Sequence, residues 1–285
     1  MSEGPDDVLV FEQLRELLAG LAYRMLGSVA EAEDVVQDAF LRWRDVDRRG
    51  VVEPRSYLAR VVSRLCIDRM RSANRRREQY VGTWLPEPVI AEPAQGLADD
   101  LSVALLLTLE RLSPLERAAF LLHDVFDMDY AVVAQSLDRS EAACRQLAAR
   151  AREHVRDEQL RYRPDHDEVR QIADAFLVAA TTCDVDGLAR VLADDVVLRT
   201  DGGGKRRAAL NPIFGRDRVV RFFAGVHRKG PDAPLHRIES TTINGLPGFV
   251  FHTGAGAETL AFEIAGGRIV RIYGVRNPDK LRHLS

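Results

Sequence analysis

The stretch Pro54–Arg77, PRSYLARVVSRLCIDRMRSANRRR, decides how the first half of the chain is read. Eight of its residues are arginine (55, 60, 64, 69, 71, 75, 76 and 77), and Asp68 is its only acid. Pro54 suits the first turn of a helix, where its missing N–H is no loss. At about 100° per residue, Arg60, Arg64, Arg71 and Arg75 share one narrow face, and Leu58, Val61, Val62 and Leu65 cluster opposite. The spacing predicts a helix that packs on one side and offers guanidinium groups on the other. Solvated helix faces normally mix charges of both signs. A face of nearly pure arginine instead suits phosphate and stacked bases, because the planar guanidinium serves both.

On the N-terminal side, residues 8–26 carry apolar residues at helical spacing, and Gly27 ends that element. Ser28 is a good N-cap for a second helix, VAEAEDVVQDAFLRWRD, whose acidic first turn suits the helix dipole. Val35, Val36, Ala39, Phe40 and Trp43 are expected to form its buried side, with Asp34, Gln37, Asp38 and Leu41 elsewhere on its surface. A polar loop, Val46–Glu53, leads into the arginine helix. On the C-terminal side, residues 79–100 contain Trp84-Leu85-Pro86-Glu87-Pro88 and Pro93. Prolines at this density break helices and stiffen an extended linker. Trp84 and Leu85 give that linker something to dock with.

A helix is expected over Leu101–Leu112. Ser113-Pro114-Leu115-Glu116 supplies an N-cap, a proline at the first helical position and an acid in the first turn, opening a helix to about Val125. Asp129 opens a short helix, Tyr130–Leu137. Asp138-Arg139-Ser140 makes a tight turn, and Ser140 caps a longer helix to about Arg156. Short helix, tight turn and longer helix make a helix-turn-helix. Ala134, Leu137, Ala143 and Leu147 are expected to fill the angle between its helices. Arg145 and Gln146, in the first half of the second helix, are placed to read bases, and Arg152 and Arg156 to grip phosphate.

After Arg163-Pro164 the pattern changes. Residues 166–182 and 185–193 read as helices and 196–200 as a strand. Asp201-Gly202-Gly203-Gly204-Lys205 is a turn, its glycines marking positive φ. It is no phosphate-binding P-loop, because the GxxxxGK[ST] spacing is missing and Arg206 stands where Ser or Thr belongs. A helix follows from Arg216 to His227. LHRIESTTI, FVFHT, TLAFEI and RIVRIYGV then alternate as strands, with turn signals at Asn244-Gly245 and Gly266-Gly267. Helices first and an antiparallel sheet after give an α+β domain.

The net charge of −3 excludes a globally basic coat protein; positive charge is instead segregated. Cys66, Cys144 and Cys183 lack the spacing of a disulfide framework or zinc site. His227, His236 and His252 are scattered and form no legible acid/base set with Asp217, Asp232 and Glu239. With no signal peptide or membrane span in the pattern, a cytoplasmic protein without membrane contact is expected.

In this order the pieces resemble an extracytoplasmic-function, sigma-70 family RNA polymerase sigma factor. The carrying residues are Tyr23–Gly27 with Ala32–Phe40 and Trp43 for region two, and Ser113–Phe120 with the helix-turn-helix for region four. Trp84–Pro88, Asp201–Lys205 and Asn277-Pro278-Asp279-Lys280-Leu281 resemble the group bearing a C-terminal SnoaL-like (NTF2-like) domain.

The resemblance implies a multidomain chain. Residues 1–80 would be the region-two helical bundle and 81–100 a linker. Residues 101–163 would be the region-four helix-turn-helix, and 164–285 a cone-shaped SnoaL/NTF2-like α+β regulatory domain. Asp34, Gln37, Asp38 and Leu41 would meet the polymerase clamp helices, with the flap as a second core contact. The Val46–Glu53 loop would read the minus-ten element and region four the minus-thirty-five element. The last domain would act as an attached regulator through Trp84, Leu85 and Pro86, the Asp201, Gly202, Gly203, Gly204 and Lys205 turn, and Asn277, Pro278, Asp279, Lys280 and Leu281. No cofactor or catalytic residue is implied, since the polymerase does the bond chemistry. The alternative is a DNA-binding module fused to a domain that senses a small ligand or keeps residual enzyme activity.

Overall fold

A computed structural model describes residues 5–46, 50–77, 80–90, 103–159, 166–230 and 232–284. The chain divides into two compact units. One comprises Met1–Glu78 and Ala104–Gln159, and the other Gln79–Val103 and Leu160–Ser285. The linker, expected to dock through Trp84 and Leu85, is thus grouped with the second unit. Residues 47–49 of the Val46–Glu53 loop and 91–100 of the linker lie outside the described residues.

In the first unit, α1 (Pro5–Leu26), α2 (Val29–Asp45) and α3 (Pro54–Arg77) pack together. Their apolar stripes bury Phe11, Leu18, Met25, Val35, Trp43, Leu58 and Val62. Ser28 caps α2 as its side chain accepts from the Glu31 N–H. Phe40, expected in the core, is half-buried and stands edge-on to Phe11 at 5.0 Å. α4 (Val103–Glu110) precedes α5 (Pro114–Phe120), whose capping box is complete: Ser113 and Glu116 satisfy each other's backbone N–H. α5 runs on as a π-helical turn, Leu121–Val125. α6 (Tyr130–Leu137) and α7 (Glu141–Gln159) form the helix-turn-helix.

The turn between α6 and α7 lacks the usual glycine because Asp138 itself takes the left-handed conformation, at φ 54°. Asp is one of the few side chains that tolerate it. The buried stripe of α7 is Cys144, Ala148, Ala151 and Val155, not Ala143 and Leu147, which are half-buried. Small side chains on that stripe let the two helices approach closely, which a reading weighted towards large apolar residues overlooks.

In the second unit, α8 (His166–Thr182), α9 (Val185–Val191) and α10 (Arg216–Lys229) accompany a six-stranded sheet. The strands are β1 (Leu192–Asp201), β2 (Ile213–Phe214), β3 (Leu235–Ile243), β4 (Leu246–Thr253), β5 (Gly256–Ala265) and β6 (Arg268–Val275), in the order β2-β1-β6-β5-β4-β3. This is the expected α+β arrangement with two corrections. β1 begins at Leu192, where a helical end was expected, because fully buried Leu192 pairs with Ile269 ahead of a bulge. The sheet is mixed, since β1 runs parallel to β6 while the remaining pairs are antiparallel. The helical side is packed with aromatic rings: Phe176 lies 4.9 Å from Phe262 and 5.0 Å from Phe223, and Phe249 lies 5.9 Å from Phe262.

Candidate nucleic-acid interface and linker clasp

The arginines of α3 divide into three groups. Arg69 turns to α2, donating to Asp38 at 2.9 Å and to the Glu31 carbonyl at 3.1 Å, with Asp34 at 3.5 Å. Arg55 donates to the Phe126 carbonyl at 2.9 Å, and Arg64 to the carbonyls of Ser136 (3.1 Å) and Gln135 (3.2 Å). Arg64 therefore caps the last turn of α6, where the helix dipole favours a cation. The expectation of an unencumbered four-arginine stripe is corrected at this position. Arg60 lies over the Tyr57 ring at 5.2 Å, and exposed Arg71 is 3.6 Å from Asp68. The side chain of Arg75 lies outside the described residues, as does that of Arg156.

Within this unit regions two and four are held together by guanidinium–carbonyl bonds. Besides Arg55 and Arg64, Arg117 of α5 is fully buried and donates to the Met25 carbonyl (2.6 Å) and to Glu110 (2.9 Å). Burial pulls its pKa down to about 9. On α2, Asp34, Gln37 and Leu41 are exposed and Asp38 is half-buried against Arg69. On α7, Arg145 and Gln146 are exposed near the N-terminus of the helix. Arg145 pairs with Glu141 at 2.8 Å and lies over the Tyr130 ring at 5.0 Å. Arg152 is engaged elsewhere: it donates to Asp124 at 2.6 Å and to the Tyr130 hydroxyl at 2.8 Å.

The second unit brings together three stretches far apart in sequence. The carboxylate of Asp201 is wholly buried and accepts from the Tyr80 hydroxyl (2.5 Å), the Leu85 N–H (2.9 Å), the Gly203 N–H (3.0 Å) and the Lys280 ammonium (2.7 Å). Lys280 also donates to the Leu85 carbonyl. Its ammonium lies 4.1 Å from the Trp84 ring centroid and 5.1 Å from that of Tyr80. An aromatic cage of this kind stabilises a desolvated cation by about 2 kcal/mol per contact.

Asn277 donates to the Tyr80 hydroxyl at 2.8 Å, and its own oxygen accepts from the Asp279 N–H. Lys205 and Asp279 meet at 2.5 Å on the rim. Burial first, then the Asp201 carboxylate, pushes the Tyr80 phenol well above its ordinary pKa. Hydrogen bonding to Lys205 pulls Asp279 below the ordinary carboxylate value.

The clasp explains why the linker belongs to this unit. Leu85 is 1% exposed, His283 contacts the Pro88 carbonyl at 2.7 Å, and the Asn244 N–H donates to the Val89 carbonyl at 2.8 Å. Two glycines of the turn are needed for different reasons. Gly203 has φ +60°, and a Cβ there would stand 2.3 Å from the Asn277 side chain. Gly202 lacks the expected positive φ, but a Cβ would stand 2.2 Å from the Arg206 carbonyl oxygen. Sequence reasoning missed Tyr80, and no local signal marks it.

His252 lies 3.7 Å from Glu239 on the sheet, whereas Arg276 holds Asp232 at 3.0 Å and Glu258 at 2.7 Å. Among the described residues no group of three or more His, Cys, Asp or Glu is arranged to hold a metal ion, and no helix is long and apolar enough to cross a membrane.

Sigma-70 region 2 matches residues 10–76, and Sigma-70 region 4 matches residues 102–155. The chain is 39% identical to the ECF RNA polymerase sigma factor SigJ of Mycobacterium tuberculosis over 96% of this chain and 93% of that protein. It is 32% identical to the probable ECF RNA polymerase sigma factor SigI of the same organism, over 94% and 92%. The crystal structure of Mycobacterium tuberculosis SigJ superposes with a TM-score of 0.77 at 35% identity, covering 96% of this chain and 98% of that one.

Proposed function

Because this chain belongs to the extracytoplasmic-function RNA polymerase sigma factors of the sigma-70 family, we propose that its first unit contacts promoter and polymerase and its second unit controls the reach between the two promoter-reading regions. As a sigma factor the protein directs promoter recognition and transcription initiation. Exposed Arg145 and Gln146 read the minus-thirty-five element, with Arg145 free to exchange Glu141 for a guanine edge. The α3 face around Arg60, Arg71 and Arg75 holds strands near the minus-ten element, Arg64 being engaged by α6, and Asp34, Gln37, Asp38 and Leu41 meet the clamp helices. Arg152 is assigned to holding region four together rather than to phosphate.

The observation that carries the regulatory reading is the hold of Lys280 and Asp201 on Tyr80, Trp84 and Leu85. These linker residues stand between regions two and four in sequence. While they are clasped, fewer residues remain to span the distance between the two promoter elements. Releasing them lengthens the tether and shifts the population of conformations that engage both elements. The aromatic packing of the helical side of the sheet favours this reading over a ligand pocket.

Run-off transcription with core polymerase tests the proposal. Trp84→Ala and deletion of residues 277–285 change transcript yield in the same direction, and the combination is less than additive. A silent Trp84→Ala, or effects that simply add, overturns it.

A further inference from the structure

α10 has a use that its packing does not account for. Val219 and Val220 are buried, and Phe222 and Phe223 lean into the aromatic core. Arg216 is tied to Asp194 at 2.5 Å. The outer face carries Arg218, Arg221, Arg228 and Lys229, all exposed. At about 100° per residue these four fall within an arc of about 100°, with Gly225 at its middle. Asp217 is the only acid of the helix and stands at the edge of the arc. Several other exposed arginines of this unit have partners, such as Arg190 with Asp184 and Arg282 with Asp279. Among the described residues none of these four cations has one.

We propose that this face docks on the phosphate backbone of duplex DNA beside the promoter elements, a proposal that rests on the family's engagement of promoter DNA. Four observations select this occupant. Four like charges in one row, unneutralised by the protein, match a polyanion. The row presents no aromatic ring to unpaired bases, because Phe222 and Phe223 face the core, so it does not suit single strands. It also has no large apolar anchor of the kind a protein–protein hot spot needs; Val226 is exposed but lies off to one side. A Cβ at Gly225 would meet nothing within 4 Å, so the centre of the row is bare and a phosphate chain can approach the helix backbone.

The test is binding of holoenzyme, assembled with the full-length chain, to a promoter duplex across a salt series. The variant is Arg218→Gln/Arg221→Gln/Arg228→Gln/Lys229→Gln. Four lost phosphate contacts flatten the slope of log K against log salt by about 3–4. The wild-type advantage then shrinks on the order of 100-fold between 50 and 200 mM salt, equally on matched and mismatched promoters. Gly225→Glu, which adds a charge in open space, weakens binding in the same sense and serves if the fourfold variant does not fold. An unchanged slope in both variants overturns the proposal. So does weaker assembly with core in the absence of DNA, which assigns the face to an acidic protein surface. Failure of the promoter reading itself has a different signature: wild-type holoenzyme would not distinguish matched from scrambled promoters.

Discussion

Replacing Lys280 by Met removes the ammonium from the clasp while keeping a chain of similar length among the rings. The Lys280 side chain is 9% exposed and its partner Asp201 is 0% exposed. Removing one member of a buried ion pair costs about 3–5 kcal/mol. Asp201 keeps three donors, from Tyr80, Leu85 and Gly203. A thioether also retains some contact with Trp84. The loss therefore belongs at the low end, about 3 kcal/mol. For a unit of about 150 residues, at about 2–4 °C per kcal/mol, the melting transition of the C-terminal unit falls by about 6–12 °C. Asp201→Asn alone removes the charge that faces the buried ammonium, at a similar cost. The double variant Asp201→Asn/Lys280→Met removes both charges and loses no more than either single change, giving a coupling of about 3 kcal/mol. Calorimetry of the full chain reads the transition. Tryptophan emission reads linker release: of the two tryptophans Trp43 is buried in the other unit, so a red shift reports Trp84. A Lys280→Met loss below about 1 kcal/mol, or a double variant equal to the sum of the singles, would refute the reasoning.

Alkaline pH opens the clasp. The folded-state pKa of Tyr80 is raised, so its contribution is fully present below the unfolded value near 10 and is lost as pH rises beyond it; the Trp84 red shift should track that loss, and Tyr80→Phe should abolish the dependence. Gly203→Ala both strains a left-handed backbone position and drives a methyl into Asn277, so it lowers the melting point of the second unit and shifts Trp84 emission. An unaltered emission spectrum would show that the turn does not support the clasp. Arg145→Ala relaxes discrimination at the upstream promoter element by roughly 1–3 kcal/mol, while Arg152→Ala destabilises region four by about 1 kcal/mol and leaves discrimination intact. An Arg145→Ala variant that loses affinity equally on matched and mismatched promoters would remove that division of roles.

Helix limits such as Val29–Asp45, Pro54–Arg77 and Tyr130–Leu137 were legible because caps, prolines and a period near 3.6 agree there. The Trp84, Asp201 and Lys280 stretches stood out in the sequence by their prolines, glycines and shared resemblance, and the structure joins them. The partner of each arginine was not. A guanidinium reaches several neighbours, and the sequence carries no sign that Arg64 would end on the α6 carbonyls or Arg152 on Asp124. Strand direction was equally hidden, because alternation reports which face a residue occupies and is the same for parallel and antiparallel neighbours.

The parallel pairing of β1 and β6 sets Asp201 opposite Val275, so both strands deliver their following segments to the same end of the sheet. That makes the clasp a late product of synthesis. Lys280 is added roughly 120 residues after Gln159, which closes region four, and at about 5–20 residues per second the delay is about 6–24 s. Through that interval the nascent chain carries both promoter-reading regions on a linker that Lys280 has not yet captured. On the proposed regulatory reading, control by this unit begins with a lag set by translation speed, and slowing the ribosome over residues 160–280 lengthens it.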